Sequence, residues 1–297
     1  MRQKLLFIIN PNAGKGAIRT AALDCIDVFV RAGYDVTVYT TQRMEDATRV
    51  VRERAAGFDR IVCSGGDGTL NEVVAGLLAS GQKTPLGYIP AGTVNDFATS
   101  LSIPKQPKEA AALAVTGKPY TVDVGRFGER VFCYIAAFGA FTNVSYNTPQ
   151  SNKNLLGRTA YILEAIKSLP AIKPYHIQIE TEDTTIEGDF IYGMVSNATS
   201  IGGFKELTLA DVQMDDGLFE VVLLRQPRNP IEWQQVLNEF MQPKEDSKFI
   251  LRFKSPKIRV ICQEEMSWTL DGEFGGKTQD VEISNQYHAL RVLVRGV

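Results

Sequence analysis

Ser64-Gly65-Gly66-Asp67-Gly68-Thr69-Leu70-Asn71-Glu72 joins an apolar run, Arg60-Ile61-Val62-Cys63, to a segment where Leu70, Val73, Val74, Leu77 and Leu78 recur at helical spacing. The stretch reads strand, tight glycine turn, helix. Gly65, Gly66 and Gly68 let the backbone approach a ligand where a Cβ would collide. The first turn of the following helix offers unpaired N–H groups and the positive end of its dipole, which suit a phosphate. Asp67 is the odd member. A carboxylate inside a phosphate cradle repels its ligand unless a cation lies between them. The residue types therefore point to nucleotide phosphates with a divalent metal, reached by Asp67 directly or through water. A packing turn whose Asp67 caps the helix is the plainer alternative.

Two acidic clusters follow much later. In Gln213-Met214-Asp215-Asp216-Gly217-Leu218, a turn can offer carboxylates and main-chain carbonyls together, the oxygen donors a hard cation prefers. In Trp268-Thr269-Leu270-Asp271-Gly272-Glu273, a strand ends and two carboxylates project beside a glycine. Ordinary β-turns account for both clusters equally well. His176 and His288 are the only histidines, and both sit in strand-like runs, so a histidine base or a histidine-rich metal site is not expected.

The elements that must hold these groups divide into two patterns. Lys4-Leu5-Leu6-Phe7-Ile8-Ile9 is a strand that breaks at the turn-rich loop Asn10-Pro11-Asn12-Ala13-Gly14-Lys15-Gly16. A helix with Ala22, Ile26, Phe29 and Val30 on one side follows, then a strand over 34–41 and a helix over 45–56. After the central turn, Pro85-Leu86-Gly87-Tyr88-Ile89-Pro90 is another short strand. It leads into Ala91-Gly92-Thr93-Val94-Asn95-Asp96, a second helix start that could face phosphate or simply be capped by Thr93 or Asn95. Strands and helices alternating at this length build a parallel α/β sheet with right-handed crossovers. Beyond Gly117-Lys118-Pro119 the pattern changes to a hairpin, 120–127 with 130–136, then a helix over 157–169. Short strands follow at 175–181, 185–195, 218–224, 249–253, 257–262, 267–270, 280–283 and 289–294, interrupted by a helix over 230–241. Many short strands with turn signals indicate an antiparallel β-sandwich. The expected division is 1–120 and 121–297, with the last strand free to pack back on the first domain.

Composition narrows the function. At 297 residues and a formal charge of −2, nothing global points to nucleic acid. No apolar run is long enough to span a bilayer, and the N-terminal run is too short for a signal peptide. Cys25, Cys63, Cys133 and Cys262 lack metal-ligand spacing and read as buried, reduced thiols of a cytoplasmic protein. The loop at 10–16 is not a Walker A loop, because Ile9 and Gly16 stand where glycine and Ser/Thr are required. Nor is it a Rossmann fingerprint, because Arg19 occupies the last glycine position and no acidic residue ends the second strand.

The run GGDGTLNEVVAGL resembles the signature of the diacylglycerol kinase catalytic-domain family, above all the soluble bacterial lipid kinases. Its GGDGT core is shared with NAD kinases and resembles the phosphofructokinase loop. Asn-Pro-x-Ala-Gly at 10–14, Gly-Thr-x-Asn-Asp-Phe-Ala at 92–98 and Asp-Gly-Glu at 271–273 extend the likeness over nearly the whole chain. The resemblance implies a NAD kinase-like α/β domain followed by the β-sandwich. It places ATP against Asn10, Pro11, Asn12, Ala13, Gly14 and Thr41, against Gly65, Gly66, Asp67, Gly68, Thr69, Leu70, Asn71 and Glu72, and against Thr93. It assigns Mg2+ to Asp216 and the main-chain carbonyls of Gln213 and Leu218, with Asp215 joining through water. Transfer of a phosphoryl group to an alcohol needs an acceptor for the hydroxyl proton. Asp271 and Glu273 are both eligible, with Glu273 favoured as base and Asp271 orienting or sharing the role.

The reading is an ATP- and Mg2+-dependent lipid kinase, with diacylglycerol as first choice of acceptor and phosphatidic acid as product. The lipid hydroxyl would enter a cleft between domains, and the enzyme would touch the inner membrane face transiently. Phe138-Gly139-Ala140-Phe141 and Ile201-Gly202-Gly203-Phe204 could line an acyl groove, though core packing explains each of them at least as well. The resemblance is compatible with a homodimer. An NAD kinase-type phosphotransferase and a catalytically silent nucleotide- or lipid-binding regulator are the rival readings.

Overall fold

The structure, a computed structural model, describes residues 2–14, 16–139, 173–200, 212–241 and 247–296. The helix expected over 157–169 and the groups at 140–141 and 201–204 lie outside the described residues. The chain divides into two compact units. The first comprises Met1–Tyr134, Asn197–Gly217 and Asn285–Val297, the second Ile135–Ser196 and Leu218–Ser284.

The first unit opens with β1 (Gln3–Ile9), α1 (Ala17–Arg31), β2 (Tyr34–Thr40), α2 (Asp46–Arg54), β3 (Arg60–Gly65), α3 (Asp67–Ser80) and β4 (Leu86–Pro90). It continues with α4 (Asp96–Ser100), α5 (Pro107–Thr116), β5 (Lys118–Phe127) and β6 (Arg130–Phe132). β1 pairs in parallel with β2 on one side and β3 on the other, and β3 pairs in parallel with β4. Leu5, Leu6, Phe7 and Ile8 are all fully buried, as are Ile61, Val62 and Cys63, so these strands are covered on both faces. α1 packs with α5 on one side, and α2 packs with α3 on the other. Burying each such Leu, Ile or Phe side chain stabilises by roughly 1.5–3 kcal/mol. Phe7 and Phe29 meet edge to face at 5.2 Å. Val30, expected on the buried side of α1, is 48% exposed. The buried stripe runs instead through Ile18, Cys25 and Phe29.

The order β4-β3-β1-β2 has a consequence for function. The chain leaves β1 toward one edge and leaves β3 toward the other. The two loops part at the carboxyl ends of neighbouring strands, which opens a crevice at that switch point.

The second unit holds β7 (Ile135–Gly139), β8 (Tyr175–Glu180), β9 (Thr185–Ser196), β10 (Phe219–Arg225), α6 (Pro230–Met241), β11 (Ile250–Ser255) and β12 (Lys257–Leu270). It also holds the first part of β13 (Glu273–Val294). It is strand-rich and pairs antiparallel. β9 and β12 each pair with β8 at one end and with β7 at the other, so these four strands close on one another. Phe138 and Trp268 meet edge to face at 5.1 Å, both buried.

The strands are longer than the sequence pattern suggests. The runs at 257–262 and 267–270 form one strand, because the polar residues between them continue it through a register shift between Ile261 and Met266. Those at 280–283 and 289–294 likewise join in β13, whose Val292 pairs in parallel with Leu86 of β4 in the first unit. Conversely, the run at 130–136 is split, since pairing with β5 ends at Phe132. Cys25, Cys63, Cys133 and Cys262 are buried free thiols. Burial pushes the Cys25 thiol up to about 11.

Candidate functional site

Three turns of the first unit converge at the carboxyl ends of its parallel strands. They follow β1, β3 and β4. The backbone links them: Asn10 N–H donates to the Ser64 carbonyl at 2.8 Å, and Ala91 N–H donates to the Gly65 carbonyl at 2.8 Å. Their glycines are packed against one another. A Cβ on Gly14, whose φ is +54°, would lie 2.2 Å from the Ala91 carbonyl oxygen. One on Gly92 would lie 2.7 Å from Gly66 Cα, and one on Gly65 would lie 2.4 Å from the Thr69 Cβ. Only glycine fits at these positions, which is what lets the three turns pack this closely. α3 opens within this cradle, with Gly66 as its N-cap in extended conformation and Asp67 in its first turn.

Side chains lock the turns in place. Asn10 Nδ2 donates to Thr69 Oγ1 at 2.9 Å, and its Oδ1 accepts from Asn12 N–H at 3.0 Å. Arg19 of α1 donates to the Pro11 carbonyl and to Asn12 Oδ1, each at 2.8 Å. Ala13 and Thr41 are buried, and the Thr41 N–H donates to the Ile9 carbonyl. Asn95, left-handed at φ 56°, donates its main-chain N–H to Asp67 Oδ2 at 3.0 Å. Its side chain turns back on Gly92, accepting from the Gly92 N–H and donating to the Gly92 carbonyl. Thr93 is exposed on the same turn.

Not every residue expected at the nucleotide lies free for it. Leu70 is fully buried in the core. The Asn71 amide donates to the Val131 carbonyl of β6 at 2.9 Å. Glu72 accepts from the N–H groups of Glu45 and Ala47, so its carboxylate caps the start of α2. The cradle proper runs from Gly65 to Thr69, and the next residues brace it.

The acidic turn at 213–217 is tied down from an unexpected quarter. Asp123 of β5 is fully buried. Its carboxylate accepts from the Gly217 N–H at 2.7 Å, the His288 N–H at 2.7 Å and the Asn285 amide at 3.3 Å. Its own N–H donates to the Met214 carbonyl at 2.8 Å. Gln213 is exposed, while Asp215, Asp216 and Leu218 are half-buried. The Tyr120 hydroxyl donates to the Asp215 carboxylate, and burial together with that carboxylate pushes the phenol up to about 12. Sequence reasoning missed Asp123. Between Val122 and Val124 it reads as the wet face of a strand, and only its partners reveal otherwise. The turn offers oxygen donors alone, two carboxylates with adjacent carbonyls, and so fits a hard cation such as Mg2+. Among the described residues no three His, Cys, Asp or Glu side chains gather into a metal cluster. Carbonyls and water would have to complete the shell.

In the second unit, Asp271 and Gly272 form the two-residue turn between β12 and β13, with φ values of 51° and 83°. Positive φ at both positions is the type I′ pattern that Asp-Gly favours. Asp271 is buried, and it exchanges bonds with Ile135: its N–H donates to the Ile135 carbonyl at 2.9 Å, and its Oδ1 accepts from the Ile135 N–H at 3.2 Å. Glu273 begins β13 and is exposed. The two carboxylates thus differ in setting, one engaged by backbone and one in solvent. His176 is exposed between Asp189 and Glu187, and His288 serves the Asp123 network through its main chain. No helix among the described residues is long and apolar enough to cross a membrane.

Residues 4–127 match the diacylglycerol kinase catalytic domain family. A diacylglycerol kinase of Bacillus subtilis (strain 168) is 32% identical over 290 residues, covering 97% of this chain and 95% of that protein. A diacylglycerol kinase of Staphylococcus epidermidis is 32% identical over 280 residues, covering 93% of this chain and 88% of that protein. A crystal structure from Bacillus anthracis str. Sterne, of a protein assigned as a diacylglycerol kinase, superposes with a TM-score of 0.83 at 26% identity. It covers 99% of this chain and 96% of that one.

Proposed function

The chain belongs to the diacylglycerol kinase family, and from that premise we propose that it is a lipid kinase transferring the γ-phosphate of ATP to the hydroxyl of diacylglycerol, giving phosphatidic acid. The observation that supports this most is the cradle itself. Gly14, Gly65, Gly66 and Gly92 crowd together at the switch point of a parallel sheet, where an added Cβ would strike backbone or a neighbouring side chain. Main-chain N–H groups there and at the start of α3 hold the phosphates, with Gly68, Thr69 and Thr93 beside them. The Asn10–Gly14 loop and Thr41 shape the nucleotide side.

Asp216 and the carbonyls of Gln213 and Leu218, with Asp215 through water, would hold Mg2+, which supplies positive charge against the phosphates. Asp123 fixes that turn through Gly217 and Met214. Glu273, exposed at the start of β13, receives the proton of the attacking hydroxyl, and Asp271 sets the turn that presents it. The enzyme meets its lipid by reversible contact with the bilayer surface.

The test is labelled-ATP transfer against vesicles containing diacylglycerol or other lipid alcohols, and against NAD. Transfer to diacylglycerol that requires Mg2+ is expected. Glu273→Gln should lower kcat by roughly 10²–10⁴, the range for loss of a general base. Transfer to NAD alone would overturn the lipid assignment. Lipid transfer unchanged in both Asp271→Asn and Glu273→Gln would overturn the carboxylate roles.

A further inference from the structure

Tyr88 lies in the middle of β4, and its side chain is 1% exposed. Its hydroxyl stands 3.1 Å from the Gly65 carbonyl and 3.3 Å from Asn95 Oδ1. Those two acceptors belong to different turns of the cradle. The Gly65 carbonyl ends β3 and already accepts from the Ala91 N–H. Asn95 Oδ1 already accepts from the Gly92 N–H. The phenol therefore bridges, from the core, the turn carrying Gly66 and the turn carrying Gly92, where the two segments pass too closely for a Cβ. One residue further, the Asn95 main-chain N–H holds Asp67 Oδ2 at 3.0 Å. A chain of contacts thus runs from the core to the carboxylate: Tyr88 hydroxyl, Asn95 amide, Asn95 N–H, Asp67.

A tyrosine is an expensive choice at this place if packing were its only duty. A buried hydroxyl must be satisfied, and phenylalanine would fill the same volume without that demand. Asn95 in turn sits in left-handed backbone, which asparagine tolerates better than most residues but does not hold unaided. We propose that the Tyr88 hydroxyl is a positioning group for the phosphate cradle: by bridging the Gly65 carbonyl and the Asn95 amide it fixes the 91–95 turn, and through it the direction of the Asp67 carboxylate. The consequence for nucleotide rests on the kinase reading above. The bridge itself does not.

Tyr88→Phe removes one oxygen and keeps the ring. Loss of one buried hydrogen bond is worth roughly 0.5–1.5 kcal/mol, or about two- to twelvefold in an equilibrium. The Kd for Mg2+·ADP and the KM for ATP should rise by about that factor, with kcat changed less and the KM for diacylglycerol unmoved. Amide hydrogen exchange across 91–95 should speed up by a similar factor without any nucleotide. In a double-mutant cycle with Asn95→Ala, the two losses should be non-additive. Unchanged exchange at 91–95, with nucleotide affinity within twofold of wild type, would overturn the proposal and leave Tyr88 a core residue, whatever happens to the melting temperature. Faster exchange in a protein whose wild type binds no nucleotide would uphold the bridge and sink the kinase reading instead.

Discussion

The cradle of the first unit and the hairpin turn of the second both put a carboxylate on a tight turn, and they do it by opposite means. Asp271 sits on a turn whose type is written in two adjacent residues. That turn follows from the dipeptide Asp-Gly, and Ile135, 136 positions earlier, bonds both the Asp271 N–H and its carboxylate. Asp67 is set through a relay of several residues. Its direction depends on Asn95, which depends on Gly92 and Tyr88, and the loop beside it depends on Asn10, Thr69 and Arg19. A turn that only has to reverse the chain can be encoded in two residues. A cluster of glycine turns has few side chains of its own to hold it, so it must borrow supports from several elements.

The contrast can be broken at its strongest point with Gly14→Ala. The new Cβ meets the Ala91 oxygen in left-handed backbone, so the cradle must open. A shift of about 1 Å can cost about 100-fold in rate, and phosphotransfer and ADP affinity should fall on that scale while the second unit's exchange pattern stays unchanged. Gly272→Val attacks the local device. A β-branched residue at φ 83° should destabilise by about 2 kcal/mol, read as a lower urea midpoint, with nucleotide affinity intact.

Smaller effects separate the units by pH. Asp46, buried in the first unit, is held below the usual carboxylate range chiefly by Arg49, with help from the Gln42 N–H and the Tyr39 hydroxyl. Its contribution is present above the ordinary carboxylate range and is lost as pH falls through its lowered value. Asp46→Asn should cost roughly 1.5 kcal/mol near neutrality, and the deficit should shrink in acid. His176, exposed in the second unit, is raised above 6.5 by Asp189 first and Glu187 second. Its contribution is complete below 6.5 and is lost as pH rises through the raised value. His176→Gln should therefore lower the thermal midpoint slightly at pH 6 and not at pH 9. Equal sensitivity of both variants at both ends would erase the distinction.

What the sequence revealed follows the same divide. The glycine turn at 65–68 was legible because an apolar strand, its glycines and a helical period stand next to one another. The Asp271 turn was legible from a dipeptide. The supports were not. Asp123 sits among valines, Tyr88 looks like one more core aromatic, and Glu72 reads as part of the motif although it caps α2. Their meaning lies in partners far along the chain, which no local pattern carries. Val30 misled for a related reason, since helical spacing gives a face but not which edge of that face the neighbouring α5 covers.

The Asp123 network bears on how the protein is made. Its carboxylate binds N–H groups from residues 285 and 288, some 160 positions downstream. The first unit to emerge from the ribosome is therefore among the last to be finished. Until translation passes His288, the Asp123 carboxyl lacks two of its donors, and Leu86 waits for Val292. Closing loops of that length is entropically slow. Nascent chains halted before residue 285 should engage chaperones and resist protease poorly in their N-terminal third, a vulnerability that completed chains shed.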